Sequence, residues 1–434
     1  MDFTQSVAYI ESTKRFGSKP GLAVMSRMLE KMDNPQKKYK AVHIAGTNGK
    51  GSTSALVANV LQKSGYQVGL FTSPPIFSEL ERIRINGENI TEQAFAEICT
   101  DVRALAEELE QEGLRYPTEF EIYTLIAFAY FARQNVDIAV FEVGMGGRLD
   151  STNVCDSAVS VITAIGYDHM QWLGNSLEEI AGEKAGIIRE GVPVVVYSQQ
   201  DPAVSAVLKK TAEEKHAPLV DTSLVHITVK KCDLYGSTFD FDDGKVCLSD
   251  LTIALAGEHQ IKNSVTAVEA LLTLRNLGYT IPNESIKEGL RSTVWHGRFE
   301  VIRREPLVIA DGGHNQQCMS ALAACVEKFL GEYERILVFS MFADKDCLSA
   351  ISAVEGLFGC VIVTEMQHKR RAKAEELAKY FHGEVNVIKD PAEAVEYAES
   401  LAENLKLQGK KAAIVISGSL NLLEELAQRN GKGE

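Results

Sequence analysis

Val42-His43-Ile44-Ala45-Gly46-Thr47-Asn48-Gly49-Lys50-Gly51-Ser52-Thr53 runs from an apolar strand through a glycine-rich turn into the start of a helix. Glycines let such a turn curl with its N–H groups pointing inward, and the helix N-terminus adds partial positive charge at the same place. Lys50 supplies a full charge to the β- and γ-phosphates of a nucleotide, and a hydroxyl at Ser52 or Thr53 can face Mg²⁺. The match to G-x-x-x-x-G-K-[ST] is imperfect: Ile44 stands at the first glycine and Gly51 at the Ser/Thr position. A turn that merely joins a strand to a helix is the alternative. The strand before, the helix after and the embedded Gly-Lys favour phosphate binding.

Outward from this loop, residues 39–197 alternate short apolar runs (41–45, 68–71, 138–143, 158–165, 192–197) with helical patterns such as 54–63, 119–134 and 177–189. Near-continuous apolar strands separated by helices predict a mostly parallel sheet covered on both faces. From about 218 to 256 the texture changes to Thr/Val alternation, with Asp242-Asp243-Gly244 predicting a hairpin among a few antiparallel strands. A helix over 258–277 follows. A second alternating block has apolar runs at 307–310, 336–339, 361–364, 385–388 and 412–416. The expected architecture is α/β: a phosphate-loop NTPase-like domain over residues 1–297, then a smaller doubly wound, Rossmann-like domain over 298–434.

Composition narrows the function. Apolar residues at 45% and charged residues at 24% are the profile of an ordinary soluble globular protein. A net charge of −14 argues against DNA or RNA as a bulk partner, since phosphate backbones need a basic surface. A small anionic molecule needs only a few local cations and N–H groups, so it stays open. Asp2, Glu11, Lys14, Arg15 and Lys19 interrupt any signal-peptide core, and no apolar run approaches the roughly 18 residues of a membrane span. Eight scattered cysteines with no C-x-x-C pair read as small buried hydrophobes in a reducing cytoplasm. A cytoplasmic monomer is expected.

Ligands of open α/β sheets gather at the carboxyl ends of the strands. Thr72-Ser73 follows the run at 68–71, Glu142 closes an apolar strand as in Walker-B segments, and Asp168-His169 follows 161–165. Glu183-Lys184 lies on the next helix. Hydroxyl and carboxylate oxygens suit Mg²⁺, and a histidine is tolerated more than preferred. Read singly, each is an ordinary strand-end polar group or a satisfied core histidine. Their convergence beside a phosphate loop makes them a candidate site.

In order along the chain, the loop at 46–52, Phe71-Thr72-Ser73-Pro74, Glu142-Val143-Gly144-Met145-Gly146-Gly147-Arg148-Leu149-Asp150-Ser151-Thr152-Asn153 and Asp168-His169 before Leu173-Gly174 form a recognisable set. Glu183-Lys184-Ala185-Gly186-Ile187, His259-Gln260-x-x-Asn263, Trp295-His296-Gly297-Arg298-Phe299-Glu300 and Asp311-Gly312-Gly313-His314-Asn315 extend it. Together they resemble the folylpolyglutamate synthase/dihydrofolate synthase family of the Mur-ligase superfamily over nearly the whole chain. The compressed phosphate loop is that family's own form.

The resemblance implies a ligase that joins the amine of L-glutamate to the carboxylate of a folate, and also of dihydropteroate, driven by ATP cleavage through an acyl phosphate. It implies Mg²⁺ ligands at Ser73, Glu142 and His169, and a carbamylated Lys184. ATP contacts are implied at Gly49, Lys50, Gly51, Ser52, Asn263, Arg298 and Asp311. The pterin is placed near Thr118, Glu119, Phe120 and Glu121, and near Leu149, Asp150 and Ser151. Lys50, Lys184, Arg298 and His314 are the expected catalytic residues. A lysine ammonium would repel Mg²⁺, whereas a carbamate is a bidentate anion; the bland alternative for Lys184 is a surface ion pair with Glu183 or Glu178. His314 and Asn315 either hold the incoming glutamate or cap the next helix. Arg82 and Arg84 either meet the folate's glutamate tail or form a solvated face.

Two other readings compete. A peptidoglycan-precursor amino-acid ligase of the same superfamily shares the ATP chemistry, but carries a nucleotide-sugar domain for which the roughly forty residues before Gly46 leave no room. A non-ligase P-loop NTPase would not need Glu142, His169, Lys184 and a second domain bearing Asp311-Gly312-Gly313-His314.

Overall fold

A computed structural model describes residues 1–17, 21–198 and 200–430 of the chain. The phosphate-loop strand Lys40–Ala45 (β1) is buried along all but its first residue, as its apolar sequence requires of a central strand. It belongs to an eight-stranded sheet with Val68–Phe71 (β2), Ile83–Ile85 (β3), Glu88–Asn89 (β4), Ile138–Glu142 (β5), Ser157–Ile162 (β6), Val194–Val196 (β7) and Leu219–Asp221 (β8). The order is β4-β3-β2-β5-β1-β6-β7-β8. From β2 to β8 every pairing is parallel, and β3 and β4 add an antiparallel edge.

The parallel order puts the carboxyl ends of β1, β2, β5 and β6 side by side. β1 lies between β5 and β6, with Ile44 opposite Glu142 on one side and Val161 on the other. β2 flanks β5, with Phe71 opposite Phe141. The segments after these strands, which carry the phosphate loop, Ser73, Glu142 and Asp168, are therefore neighbours.

One large apolar cluster joins Phe71, Phe128, Phe131 and Phe141 to the N-terminal helices Phe3–Thr13 and Ala23–Lys31 and to Glu92–Gln111. A second gathers Ala45, Val143, Ile162 and Ile180. Both are built from the alternation that the apolar runs announce.

A three-stranded sheet, in the order β11-β10-β9, is formed by His226–Asp233 (β9), Gly236–Asp242 (β10) and Cys247–Ile253 (β11). Its expected hairpin is present. Gly244 adopts φ 81°, and Asp242 and Asp243 accept N–H bonds from Gly244 and Val246. Residues 219–221, expected with these strands, instead extend the large sheet beside β7.

The last sheet contains Glu300–Arg304 (β12), Leu307–Asp311 (β13), Glu334–Phe339 (β14), Cys360–Val363 (β15), Val385–Val387 (β16) and Ala412–Ser417 (β17), in the order β12-β13-β17-β14-β15-β16. Only β12 is antiparallel to its neighbour.

The chain divides into two compact units: Met1–Ile227, Phe241–Leu251 and Lys262–Thr293 in the first, and Thr228–Asp240, Thr252–Ile261 and Val294–Glu434 in the second. The expected single cut at 297/298 therefore falls near one boundary and misses two insertions. The reason is packing: Leu234 and Ala256 belong with the apolar core of the second unit, beside Phe299, Leu337 and Phe339.

The cysteine reading also needs correction. Cys99, Cys155, Cys325 and Cys347 are buried, but Cys232, Cys318 and Cys360 are half-buried and Cys247 is exposed. Among the described residues no helix is long and apolar enough to cross a membrane.

Candidate active site

The phosphate loop is closed by contacts that tolerate no side chain. The helix Lys50–Lys63 starts at Gly49, which adopts the left-handed φ of 85°. A Cβ on Gly49 would lie 2.4 Å from Oδ1 of Asn263, and one on Gly46 would lie 1.8 Å from Oγ1 of Thr163. The backbone curls because Thr47 and Asn48 both donate to the Ala164 carbonyl, at 2.8 and 3.1 Å. The first helical bond runs from Thr53 N–H to the Gly49 carbonyl. The N–H groups of Lys50, Gly51 and Ser52 precede it, at a helix end suited to anions. Lys50 Nζ rests on the Thr47 carbonyl at 3.2 Å, within the same turn.

Lys184 is the least expected geometry. It is 4% exposed, and its Nζ donates to the Gly46 carbonyl at 2.8 Å. The surface ion pair weighed as its bland alternative is thus absent; Glu183 instead pairs with Arg148. Burial, reinforced by the Lys50 charge, pushes the Lys184 ammonium down to about 7, against the opposing pull of Asp168 and Asp150. A substantial share of neutral amine at neutral pH follows.

Glu142 is buried at the end of β5, and its Oε2 accepts the Ser73 N–H at 3.0 Å. That bond ties together two of the three residues expected to hold Mg²⁺. His169 takes a left-handed φ of 49°, and its Nε2 lies 3.8 Å from Asp168 Oδ2. Among the described residues no three His, Cys, Asp or Glu side chains gather into a metal cluster. The expected set contains only two of those types, completed by a hydroxyl and by whatever Lys184 carries. A buried carboxylate oriented by an N–H beside a hydroxyl is hard oxygen chemistry, and it fits Mg²⁺.

Beside this lies a cavity of about 430 Å³. Arg82, Thr118, Glu119, Phe120, Glu121, Leu149, Asp150 and Ser151, the residues expected around the acceptor, all line it. Arg84 is not in its lining. Sequence reading missed Tyr123, Met145 and Trp172. The available signal was Trp172 itself, a large aromatic in the one-turn helix Met170–Leu173 just after Asp168-His169. It is 53% exposed, as befits an apolar surface kept for a ligand.

The lining residues divide by what already holds them. Both oxygens of Glu121 accept from Arg115, at 2.7 and 2.6 Å, and Oε2 also takes the Thr118 N–H. Thr118 and Glu121 form the capping box of the helix Glu119–Arg133. Such a cap contributes about 1 kcal/mol, and Glu121 makes it while lining the cavity. Phe120 rests its ring on Gly144. Glu119 faces the cavity with its pKa raised by burial, opposed by Lys14 and Arg82. Arg82 is paired with Glu79 at 2.6 Å, and its guanidinium lies 4.6 Å from the centre of the Tyr123 ring. Asp150 accepts from Met145 N–H, Thr152 N–H and Thr152 Oγ1–H.

In the second unit, Asp311 is buried at the end of β13. Its carboxylate accepts the N–H of Phe299 at 2.9 Å and of Gly313 at 2.8 Å, binding the Arg298 loop to the segment after the strand. Burial raises the Asp311 pKa, and Arg298 opposes this. His314 Nδ1 donates to the Gly312 carbonyl at 3.0 Å, because a carbonyl only accepts. Asn315 caps the helix Gln316–Phe329 by accepting from Cys318 N–H, one of the two roles expected of it.

Residues 44–271 match the family described as Mur ligase middle domain, and residues 297–420 match Mur ligase, glutamate ligase domain. The chain is 36% identical over 429 residues to a dihydrofolate synthase/folylpolyglutamate synthase of Bacillus subtilis, covering 97% of each. A Mycobacterium tuberculosis folylpolyglutamate synthase solved with ADP and AMPPCP superposes with a TM-score of 0.89 at 31% identity, covering 100% of this chain and 99% of that one. An FPGS–AMPPCP–folate complex gives 0.85 at 31% identity, covering 99% and 100%.

Proposed function

The chain belongs to the folylpolyglutamate synthase/dihydrofolate synthase family of Mur ligases, and from that premise we propose how its residues join L-glutamate to a pterin-bearing carboxylate. The observation that carries the reading is Lys184. Its Nζ bonds the Gly46 carbonyl of the phosphate loop and feels the charge of Asp150, a residue of the cavity wall. Nucleotide loop and acceptor cavity are thus adjoining parts of one site. The rival readings give way to the family match along nearly the whole chain.

A carboxylate is a poor electrophile, so it must first be activated. One acceptor oxygen attacks the γ-phosphorus, the bond to ADP breaks, and an acyl phosphate forms. The glutamate amine then attacks the acyl carbon, phosphate leaves with the acceptor's oxygen, and the amine loses a proton. The loop N–H groups and Lys50 hold the phosphates and balance the charge that develops during transfer. Ser73, Glu142, His169 and a Lys184 carbamate would hold Mg²⁺, which when bound neutralises phosphate charge. Asn263 supports the nucleotide turn. In the second unit we assign nucleotide contacts to Arg298 and Asp311 and an amine-side role to His314.

Glu119, uncommitted to a cap, is the carboxylate for the amino-pyrimidine edge of the pterin, with Trp172 and Leu149 covering its faces. Arg82 suits the anionic far end of the acceptor. Dihydropteroate and reduced folates share the pterin and end in a carboxylate, so one cavity serves both. The test is isotopic: an acceptor carrying ¹⁸O in its carboxylate should deliver one ¹⁸O to the released phosphate. Phosphate without label would exclude the acyl phosphate.

A further inference from the structure

The phosphate-loop strand carries a buried imidazole with no part in the chemistry above. His43 is 0% exposed in the middle of β1, and its Nε2 lies 2.8 Å from Thr152 Oγ1. Thr152 Oγ1 lies 2.5 Å from Asp150 Oδ1. A hydroxyl has one proton. Asp150 meets N–H donors on both oxygens, so it is the acceptor of that proton. The hydroxyl must then accept from His43, which fixes the ring as the neutral Nε2–H tautomer. Burial and the nearby Arg189 charge push the His43 pKa down to about 3, in keeping with a permanently neutral ring.

The other nitrogen decides that this is more than packing. Among the described residues His43 Nδ1 is buried with no hydrogen-bond partner. An orphaned buried nitrogen is costly, and an apolar residue of similar volume would fill the core without it. The arrangement keeps the imidazole for the one bond it makes.

We propose that His43 is a positioning residue for acceptor binding: through the Thr152 hydroxyl it fixes the Asp150 carboxylate in the cavity wall. Asp150 in turn holds the N–H of Met145, so the chain of bonds from β1 sets the shape of the Gly144–Ser151 side of the cavity. The strand that presents the phosphate loop thereby also orders the acceptor wall. The inference rests on the reading of this cavity as the acceptor site.

The experiment measures initial rates with a reduced folate varied at saturating ATP and glutamate, and with ATP varied at saturating folate. The variants are His43→Leu, His43→Gln, Thr152→Val, Thr152→Ser and Asp150→Asn. His43→Leu and Thr152→Val should raise the folate KM about tenfold and leave the ATP KM within about twofold. Thr152→Ser, which keeps the hydroxyl, and His43→Gln, which keeps a donor, should recover most of the loss. In the wild type, imidazole ¹⁵N signals should show a protonated Nε2 and bare Nδ1 across about pH 6–8. Should His43→Leu fail to fold, Thr152→Val is isosteric and carries the test alone. A folate KM unchanged in Thr152→Val, while Asp150→Asn raises it, overturns the proposal and leaves the cavity reading intact. An unchanged folate KM in Asp150→Asn overturns both. Equal rises in folate and ATP KM would show a merely structural role.

Discussion

Three side chains test the phosphate chemistry one at a time. Lys50 contributes a point charge on a backbone held by other groups, so Lys50→Ala should keep the fold and lower kcat more than tenfold, above roughly 1.4 kcal/mol of barrier. A circular dichroism melt and a single-turnover assay separate the two effects. A variant retaining more than about a tenth of wild-type kcat would remove Lys50 from its role. Glu142→Gln keeps the shape that receives the Ser73 N–H but deletes the charge, so the Mg²⁺ requirement of ligation should rise sharply while metal-free nucleotide binding changes little. An unchanged Mg²⁺ titration would contradict it. Lys184 sits near a pKa of 7, so about half its population is neutral amine at pH 7, against about one in three thousand for an ordinary lysine. CO₂ reacts only with the neutral amine. At fixed dissolved CO₂, carbamate occupancy should therefore grow as pH rises through about 7 and shrink below it, read by ¹³C NMR with labelled bicarbonate. No carbamate resonance at any pH would refute the modification.

At the scale of elements, the turn from β1 into the helix Lys50–Lys63 depends on backbone that L side chains resist. Gly49→Ala combines a positive φ with overlap onto Asn263, and should weaken ATP binding by tenfold or more with little effect on folate binding. Equilibrium binding of AMPPCP measures this, and native affinity would mean the turn is more compliant than its contacts suggest. Such strand–turn–helix units were legible because hydrophobic runs and glycines act locally: β1, β2, β5, β13 and β17 lie within one or two residues of where the apolar pattern puts them. The elements that escaped obey longer-range physics. Arg84 gives β3 a polar centre, yet the strand pairs antiparallel to β2; Arg84 pairs with Glu81, and Arg82, just before the strand, with Glu79. Likewise the setting of Glu121, expected beside the pterin, cannot be read from the sequence. Only the fold reveals Arg115 across from it, taking both oxygens. That Thr72-Ser73, Glu142 and Asp168-His169 lie at or after strand ends was readable from the apolar runs. Trp172, Tyr123 and the buried setting of Lys184 needed three dimensions.

Across the whole molecule, the two units do not correspond to two stretches of chain. Because Leu234 and Ala256 pack in the core of the second unit, a fragment of residues 1–297 would leave them without partners. Limited proteolysis should cut that fragment within residues 228–261 while the full chain resists there; a fragment equally resistant would show that segment to be self-supporting. The central claim is that the cavity beside the phosphate loop takes a pterin-bearing carboxylate and the enzyme adds L-glutamate to it. The most direct measurement pairs ADP release with product mass, using dihydropteroate and tetrahydrofolate in turn. The account predicts, with each acceptor, one ADP per turnover and a product heavier by a glutamyl residue. ADP release without any gain in mass, or no turnover with either acceptor, would contradict it.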